Sequence, residues 1–135
     1  MFKKVSVAFI LIATPLFSVL VNQTPVVLAE TLAQKVNCNK AVTTPELKYC
    51  SQLSYQAADK KLNQTYQKII PTLNSEQRRS LISAQKAWIQ FRDNNCNFET
   101  YASRGGTGYE IFRNGCLQRL TEQRTKDFEN FLSNR

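Results

Sequence analysis

The amino-acid sequence predicts an all-α fold, a small disulfide-stabilised bundle of three to four helices. Apolar residues recur at three- and four-residue steps in three long segments, which is the spacing of one face of an α-helix. No segment alternates polar and apolar residues as a half-buried strand does. The four cysteines all follow an N-terminal segment of the export type, which favours two disulfides in an oxidising compartment.

The N-terminal segment predicts a secretory signal peptide over residues 1–29. Lys3 and Lys4 precede a long apolar run, and Ala29 stands where a signal peptidase would cleave. An uncleaved membrane anchor is the alternative, although the run is short for a span. Residues 30–135 then form one domain, which we expect in the periplasm or outside the cell.

The first helix is predicted to begin at residues 44–46. Thr44 can cap it, Pro45 suits the first helical position, and Glu46 complements the positive end of the helix dipole. Helical spacing continues to Ile69 or Ile70, and Pro71 ends the helix. The pattern allows one long helix or two helices with a bend near residues 51–54.

The second helix is predicted to begin near Asn74, because Asn74 and Gln77 have the spacing of a capping box. Its apolar stripe carries Trp88 and Phe91, and we expect both rings in the core. Ala84, one turn before Trp88, would leave room for a facing helix.

Arg92 and Asp93 are neighbours in the chain and point about 100° apart on a helix. They therefore lack the spacing of an ion pair along one helix face. We expect Asp93 to pair with a basic residue of another helix, for which Arg124 is the candidate.

The segment between Cys96 and Cys116 is predicted to be a flexible connection, because residues 103–108 hold three of the four glycines. A last helix follows, with Leu117, Leu120 and Phe128 at helical spacing.

Composition argues against an enzyme. The chain has no histidine, no G-x-S-x-G motif and no phosphate-binding loop. No pair of carboxylates stands out, and the cysteine spacing is not that of a zinc site. We predict no catalytic residue, no metal and no cofactor.

The charge of the chain bears on its partners. Removal of residues 1–29 takes away two lysines and no acidic residue, so the net charge falls from +8 to +6. The basic residues are scattered, and we expect no nucleic-acid binding. An attraction to anionic cell-wall or lipid groups is compatible with this charge.

Four segments together carry a family resemblance: "CNKAVTTPELKYC", "ADKKLNQTY", "LISAQKAWIQFRDNNC" and "GCLQRLTEQR". Over residues 38–124 they resemble the N-terminal domain of the lysozyme inhibitor LprI family. The resemblance implies an exported helical domain with paired cysteines. The residues that match the family motif and that we expect to be structural are Asp59, Asn63, Tyr66, Gln85, Trp88, Arg92, Asp93 and Arg124.

Three pairings of the four cysteines are possible. We favour Cys38–Cys50, which would tie the lead-in to the first helix, and Cys96–Cys116, which would close the glycine-rich connection.

The closed Cys96–Cys116 segment is the candidate binding loop, since aromatic and arginine side chains dominate binding hot spots. Such a loop could enter the carboxylate-lined cleft of a glycosidase. The alternative is a plain connection whose aromatic rings fold onto the bundle. The residues of the candidate loop are Phe98, Tyr101, Arg104, Tyr109, Phe112 and Arg113.

Two functions therefore stand as hypotheses. The first is an exported binding protein that blocks a lysozyme-type glycosidase or contacts another envelope protein. The second is an envelope module that binds anionic cell-wall or lipid groups through its basic surface. Membrane contact is expected only through an uncleaved signal segment or a weak electrostatic attraction. Strongly basic lysozymes of the animal type would be repelled by this chain at long range.

Overall fold

The computed structural model describes residues 36–134, and within this range it confirms the all-α bundle. Three long helices follow one another: α1 over Thr44–Ile69, α2 over Ser75–Glu99 and α3 over Tyr109–Ser133. Short 3-10 turns cover Cys38–Lys40, Ile70–Thr72 and Tyr101–Ser103. The predicted signal peptide lies outside the described residues.

The start of α1 differs by one residue from the prediction, because Thr43 rather than Thr44 is the N-cap. One oxygen of the Glu46 carboxylate accepts hydrogen bonds from the Thr43 backbone N–H at 3.0 Å and from its hydroxyl at 2.8 Å. The same oxygen accepts the backbone N–H of Val42 at 3.2 Å. In a capping box the side chain at the third helical position accepts the backbone N–H of the N-cap residue, and Glu46 stands three residues after Thr43, which makes Thr43 the cap.

The junction between α1 and α2 follows the predicted signals. α1 is one continuous helix without the alternative break near residues 51–54, and Pro71 lies in the 3-10 turn that follows it. Asn74 caps α2: its side chain accepts the Gln77 backbone N–H at 2.9 Å, and Gln77 accepts the Asn74 N–H at 3.1 Å. The predicted capping box is confirmed.

The helices form an up-down-up bundle in which α1 and α3 run parallel and pack along their length. α2 runs antiparallel to both and packs mainly on α3. One apolar cluster, centred on Leu62, Ile69 and Phe128, lies toward the C-terminal ends of α1 and α3. A second, centred on Leu117 and a disulfide, lies toward their N-terminal ends.

The two predicted disulfides are both confirmed. Cys38 and Cys50 join the N-terminal turn to α1, and Cys96 and Cys116 join the last turn of α2 to α3. The Cys96–Cys116 bond is buried in the second apolar cluster, whereas Cys38 is exposed to solvent. The two bonds therefore differ in their access to a reductant.

The expectation that Phe91 belongs to the core is wrong. Trp88 packs against the first apolar cluster, but Phe91 is 56% exposed and Ala84 is exposed. Three residues along a helix amount to about 300°, so Phe91 is turned by about 60° from Trp88. α2 is covered mainly by α3, and the buried stripe is too narrow to include both rings.

Candidate functional site

The end of the bundle where α2 passes into α3 is more compact than predicted. Because α2 continues to Glu99 and α3 begins at Tyr109, the connection covers only residues 100–108 and not the whole Cys96–Cys116 segment. The turn needs glycine at one position, since Gly105 has a φ of 78°. The disulfide closes this end one turn below the connection.

Large side chains at this end project into solvent. Phe98 at the end of α2 is 82% exposed, Tyr101 in the connection is 66% exposed, and Phe112 in the first turn of α3 is 58% exposed. The alternative that these rings fold onto the bundle does not hold for these three. We call the three rings together with Arg104 the aromatic tip.

Arg104 gives the aromatic tip a positive charge. Its guanidinium carbon lies 4.8 Å from the centroid of the Tyr101 ring, a cation–π contact that holds the two side chains together. No carboxylate within residues 36–134 forms an ion pair with Arg104. An exposed arginine in this setting can accept a carboxylate from a partner.

The acidic side chains near the aromatic tip already have basic partners. Glu99 lies 2.7 Å from the Arg119 guanidinium, and Glu110 lies 2.8 Å from the Lys48 ammonium. These pairs reduce the local negative field, which leaves Arg104 as the charge that the aromatic tip presents.

The other two predicted loop residues have a different position. Tyr109 is the first residue of α3 and is half-buried. Arg113 is also half-buried, and its Nε donates to the Asn97 side-chain oxygen at 3.0 Å. Arg113 therefore links α2 to α3, and it contributes less to the exposed surface than Arg104.

A depression beside the aromatic tip has a volume of about 400 Å³ and is formed where the end of α2 meets the first turns of α3. Its lining includes Glu99, Ser103 and Phe112.

Half of the eight motif residues meet around the buried Arg92: Asp59, Trp88, Asp93 and Arg92 itself. Its guanidinium lies 2.9 Å from Asp93 and 3.6 Å from Asp59, and it donates to the Thr121 hydroxyl at 3.4 Å. It also lies 5.2 Å from the centroid of the Trp88 ring. The expectation that Asp93 would pair with Arg124 is wrong, because the long arginine side chain bends back to its own neighbour.

A second arginine extends this group along the core. The Nε of Arg124 donates to Gln85 at 3.2 Å, and its guanidinium lies 5.8 Å from the Trp88 ring and 4.5 Å from the Phe128 ring. Tyr66 lies against Phe128, with 6.0 Å between ring centroids. We call the two arginines and the side chains that they contact the arginine–tryptophan cluster. Its residues are Tyr55, Asp59, Gln85, Trp88, Arg92, Asp93, Thr121, Arg124 and Phe128.

Burial changes the acidity of two groups in this cluster. It raises the pKa of Tyr55, and the positive charge of Arg92 only partly opposes this change. It lowers the pKa of Arg124, because removal from water disfavours the charged guanidinium.

Two partners of Arg92 were not anticipated from the sequence. Tyr55 lies 5.6 Å from its guanidinium, and Thr121 is fully buried beneath it. Tyr55 stands four residues before Asp59, which puts both on one face of α1, and this spacing was the available signal.

A model of the family described as Lysozyme inhibitor LprI matches residues 37–128. The chain belongs to the lysozyme inhibitor LprI family. The match begins just before Cys38 and ends at Phe128, so it includes both disulfides and the whole arginine–tryptophan cluster. The family resemblance is thereby confirmed.

The comparisons add one relative of this LprI family chain. This relative is an uncharacterized protein of Rhizobium meliloti (strain 1021). It is 30% identical to the present chain over 109 residues, and the match covers 71% of this chain and 78% of the relative. No solved structure matches the chain.

Two disulfides and membership of the LprI family indicate an extracytoplasmic protein. Within residues 36–134, none of the helices combines the length and the apolar character that a bilayer span requires. The same residues contain no group of three or more side chains arranged to hold a metal ion.

Proposed function

We propose that this protein is an exported binding protein that blocks a lysozyme-type cell-wall glycosidase. The observation that carries the proposal is the match to a lysozyme inhibitor family over residues 37–128. A rigid, disulfide-closed end that displays aromatic and arginine side chains supports it, because such side chains supply most of the energy at protein interfaces.

The same proposal includes the route of the protein. Residues 1–29 act as a signal peptide that is cleaved after Ala29, which releases the chain into an oxidising compartment where both disulfides form. Mass spectrometry of the N-terminus of the exported protein tests this cleavage. An N-terminus at Glu30 supports it, and retention of residues 1–29 contradicts it.

The protein acts by binding and not by catalysis. The sequence has no histidine, and all four cysteines are committed to disulfides. The family to which the chain belongs is described by inhibition, which is a binding function.

Inhibition of cell-wall lysis tests the proposal. Several lysozyme types would be assayed on a suspension of bacterial cell walls, with and without the oxidised protein purified as exported. We expect dose-dependent inhibition of at least one type near a one-to-one ratio. The reduced and alkylated protein is the control, and it should have lost the activity.

The absence of inhibition across all lysozyme types would contradict the proposal. The net charge of +6 on residues 30–135 would then favour the second candidate, an envelope module that binds anionic cell-wall or lipid groups. Binding to peptidoglycan and to anionic lipid vesicles that weakens steeply with salt would identify that function.

A further inference from the structure

We infer that the aromatic tip is the surface that contacts the enzyme, and that it fits a glycosidase whose surface is acidic rather than a strongly basic one. This inference rests on the proposed function and adds to it the contact surface and the chemical class of the partner.

The first step is that the fold leaves most of the surface of the aromatic tip uncovered. Phe98, Tyr101 and Phe112 are each more than half exposed, and the Arg104 guanidinium lies over the Tyr101 ring without an ion pair to any carboxylate of residues 36–134. Most of the free energy available from covering these three rings is therefore not used by the fold. Contact with a partner would bury them together with Arg104.

The second step is that the aromatic tip is held rigidly in place. The Cys96–Cys116 disulfide, the Arg113–Asn97 hydrogen bond and the Arg119–Glu99 ion pair all join α2 to α3 within a few turns of the tip. A backbone that is already held in place loses less conformational entropy on binding, which favours a tight complex.

The third step is the charge of the aromatic tip. Glu99 and Glu110 are neutralised by Arg119 and Lys48, so Arg104 is the charge left for a partner. The cleft of a glycosidase carries two carboxylates, and a guanidinium can form a bidentate hydrogen-bonded pair with a carboxylate.

The fourth step concerns the surface around the cleft. The exported chain has a net charge of +6, so its long-range field accelerates encounter with an acidic enzyme and slows encounter with a basic one. A glycosidase with an acidic surface and a carboxylate-lined cleft satisfies both the local and the long-range requirement. The strongly basic animal-type lysozymes satisfy only the local one.

Association kinetics of the full exported protein with two probes test the inference. One probe is a strongly basic animal-type lysozyme, and the other is a lysozyme of acidic isoelectric point. We expect tighter binding and stronger inhibition of the acidic enzyme. The rate of association with the acidic enzyme should fall about tenfold or more when the salt concentration rises from about 0.01 to 0.5 M. Over about this range salt comes to screen the attraction between the two proteins almost completely.

Two matched pairs of variants locate the contact. Arg104→Glu should weaken binding about 30-fold or more, as expected for a hot-spot arginine. Arg79→Glu makes the same change in net charge at an exposed residue at the opposite end of α2, and it should change binding less than about threefold. Tyr101→Ala should weaken binding more than tenfold, whereas Ile82→Ala, at an exposed apolar side chain toward the opposite end of α2, should not.

The outcomes separate the inference from the proposal beneath it. Stronger inhibition of the basic enzyme, or equal effects of Arg104→Glu and Arg79→Glu, would overturn the inference and leave inhibition established. Inhibition of neither enzyme would overturn both. Because the four side chains are exposed, the melting temperature of each variant should stay close to that of the parent, and this measurement excludes misfolding as the cause.

Discussion

The Arg92 guanidinium donates to a single oxygen of the Asp93 carboxylate, with Nε and Nη2 each 2.9 Å from Oδ1. The same guanidinium reaches Asp59 of α1 and Thr121 of α3, so one side chain joins all three helices. Arg92 is buried, and its charge is stable there because two carboxylates, a hydroxyl and two aromatic rings surround it.

Replacement of Arg92 should destabilise the fold. Arg92→Ala leaves Asp59 and Asp93 without their partner, and we expect a loss of about 2–3 kcal/mol in the free energy of unfolding, since both carboxylates are partly exposed. Arg92→Lys should recover little, because an ammonium cannot reproduce the fork of hydrogen bonds. Urea unfolding measures both variants.

The control for Arg92 is Arg119→Ala, which breaks the exposed pair with Glu99 and should cost less than about 1 kcal/mol. If Arg92→Ala lowers the free energy of unfolding by no more than Arg119→Ala does, the contacts of Arg92 with the other helices do not stabilise the fold.

Trp88 and Phe91 should respond differently to truncation. Trp88→Ala opens the space between the first apolar cluster and the two arginines, and it should cost about 2–4 kcal/mol. Phe91→Ala removes a ring that is 56% exposed and should cost about 1 kcal/mol or less. If denaturant unfolding gives equal losses of the free energy of unfolding for both variants, Trp88 is not covered more than Phe91 is.

The disulfides should open in sequence. A mild thiol reductant should break Cys38–Cys50 first, because Cys38 is exposed, and should leave the buried Cys96–Cys116 bond intact. Alkylation followed by peptide mapping reads the order. Simultaneous labelling of all four cysteines in the folded protein would contradict the expectation.

Loss of either disulfide should lower stability by about 3 kcal/mol through the entropy of the unfolded chain. Thermal unfolding of Cys38→Ala/Cys50→Ala and of Cys96→Ala/Cys116→Ala checks this. The double variant without Cys96 and Cys116 should be the less stable of the two, since it also loses buried contacts with Leu117.

The cap at Glu46 should make the stability of α1 depend on pH. Hydrogen bonds from the backbone and hydroxyl of Thr43 and from the Val42 backbone lower the pKa of Glu46. A carboxyl whose pKa is lower in the folded state stabilises that state above its unfolded pKa, and the contribution is lost as the pH falls through the folded value.

Glu46→Gln should therefore melt below the parent at pH 7, and the difference should close as the pH falls below about 4. Thr43→Ala removes the hydroxyl that donates to Glu46. In that variant, the melting-temperature difference between Glu46 and Gln at position 46 should be smaller at pH 7. Thermal unfolding between pH 2 and 7 gives the comparison. A difference in melting temperature that is constant over this range would exclude the ionised cap.

Much of the candidate site could be selected from the sequence. The Cys96–Cys116 segment and its aromatic and basic residues were visible, and Phe98, Tyr101, Arg104 and Phe112 are exposed in the structure. Tyr109 and Arg113 could not be distinguished from these residues, because both lie in the first turns of α3. This helix begins directly after the glycine-rich residues 103–108, before the predicted end of the connection at Cys116.

The sequence by itself determined two local features, where α2 begins and where α1 ends, and it favoured the cysteine pairing that the structure has. Caps and proline act over a few residues, so their effect does not depend on the rest of the fold. The tertiary structure alone decided that Trp88 is covered while Phe91 is not, and that Arg92 binds its own neighbour. A turn of about 60° around a helix separates a buried residue from an exposed one, and the neighbouring helix determines which side is covered.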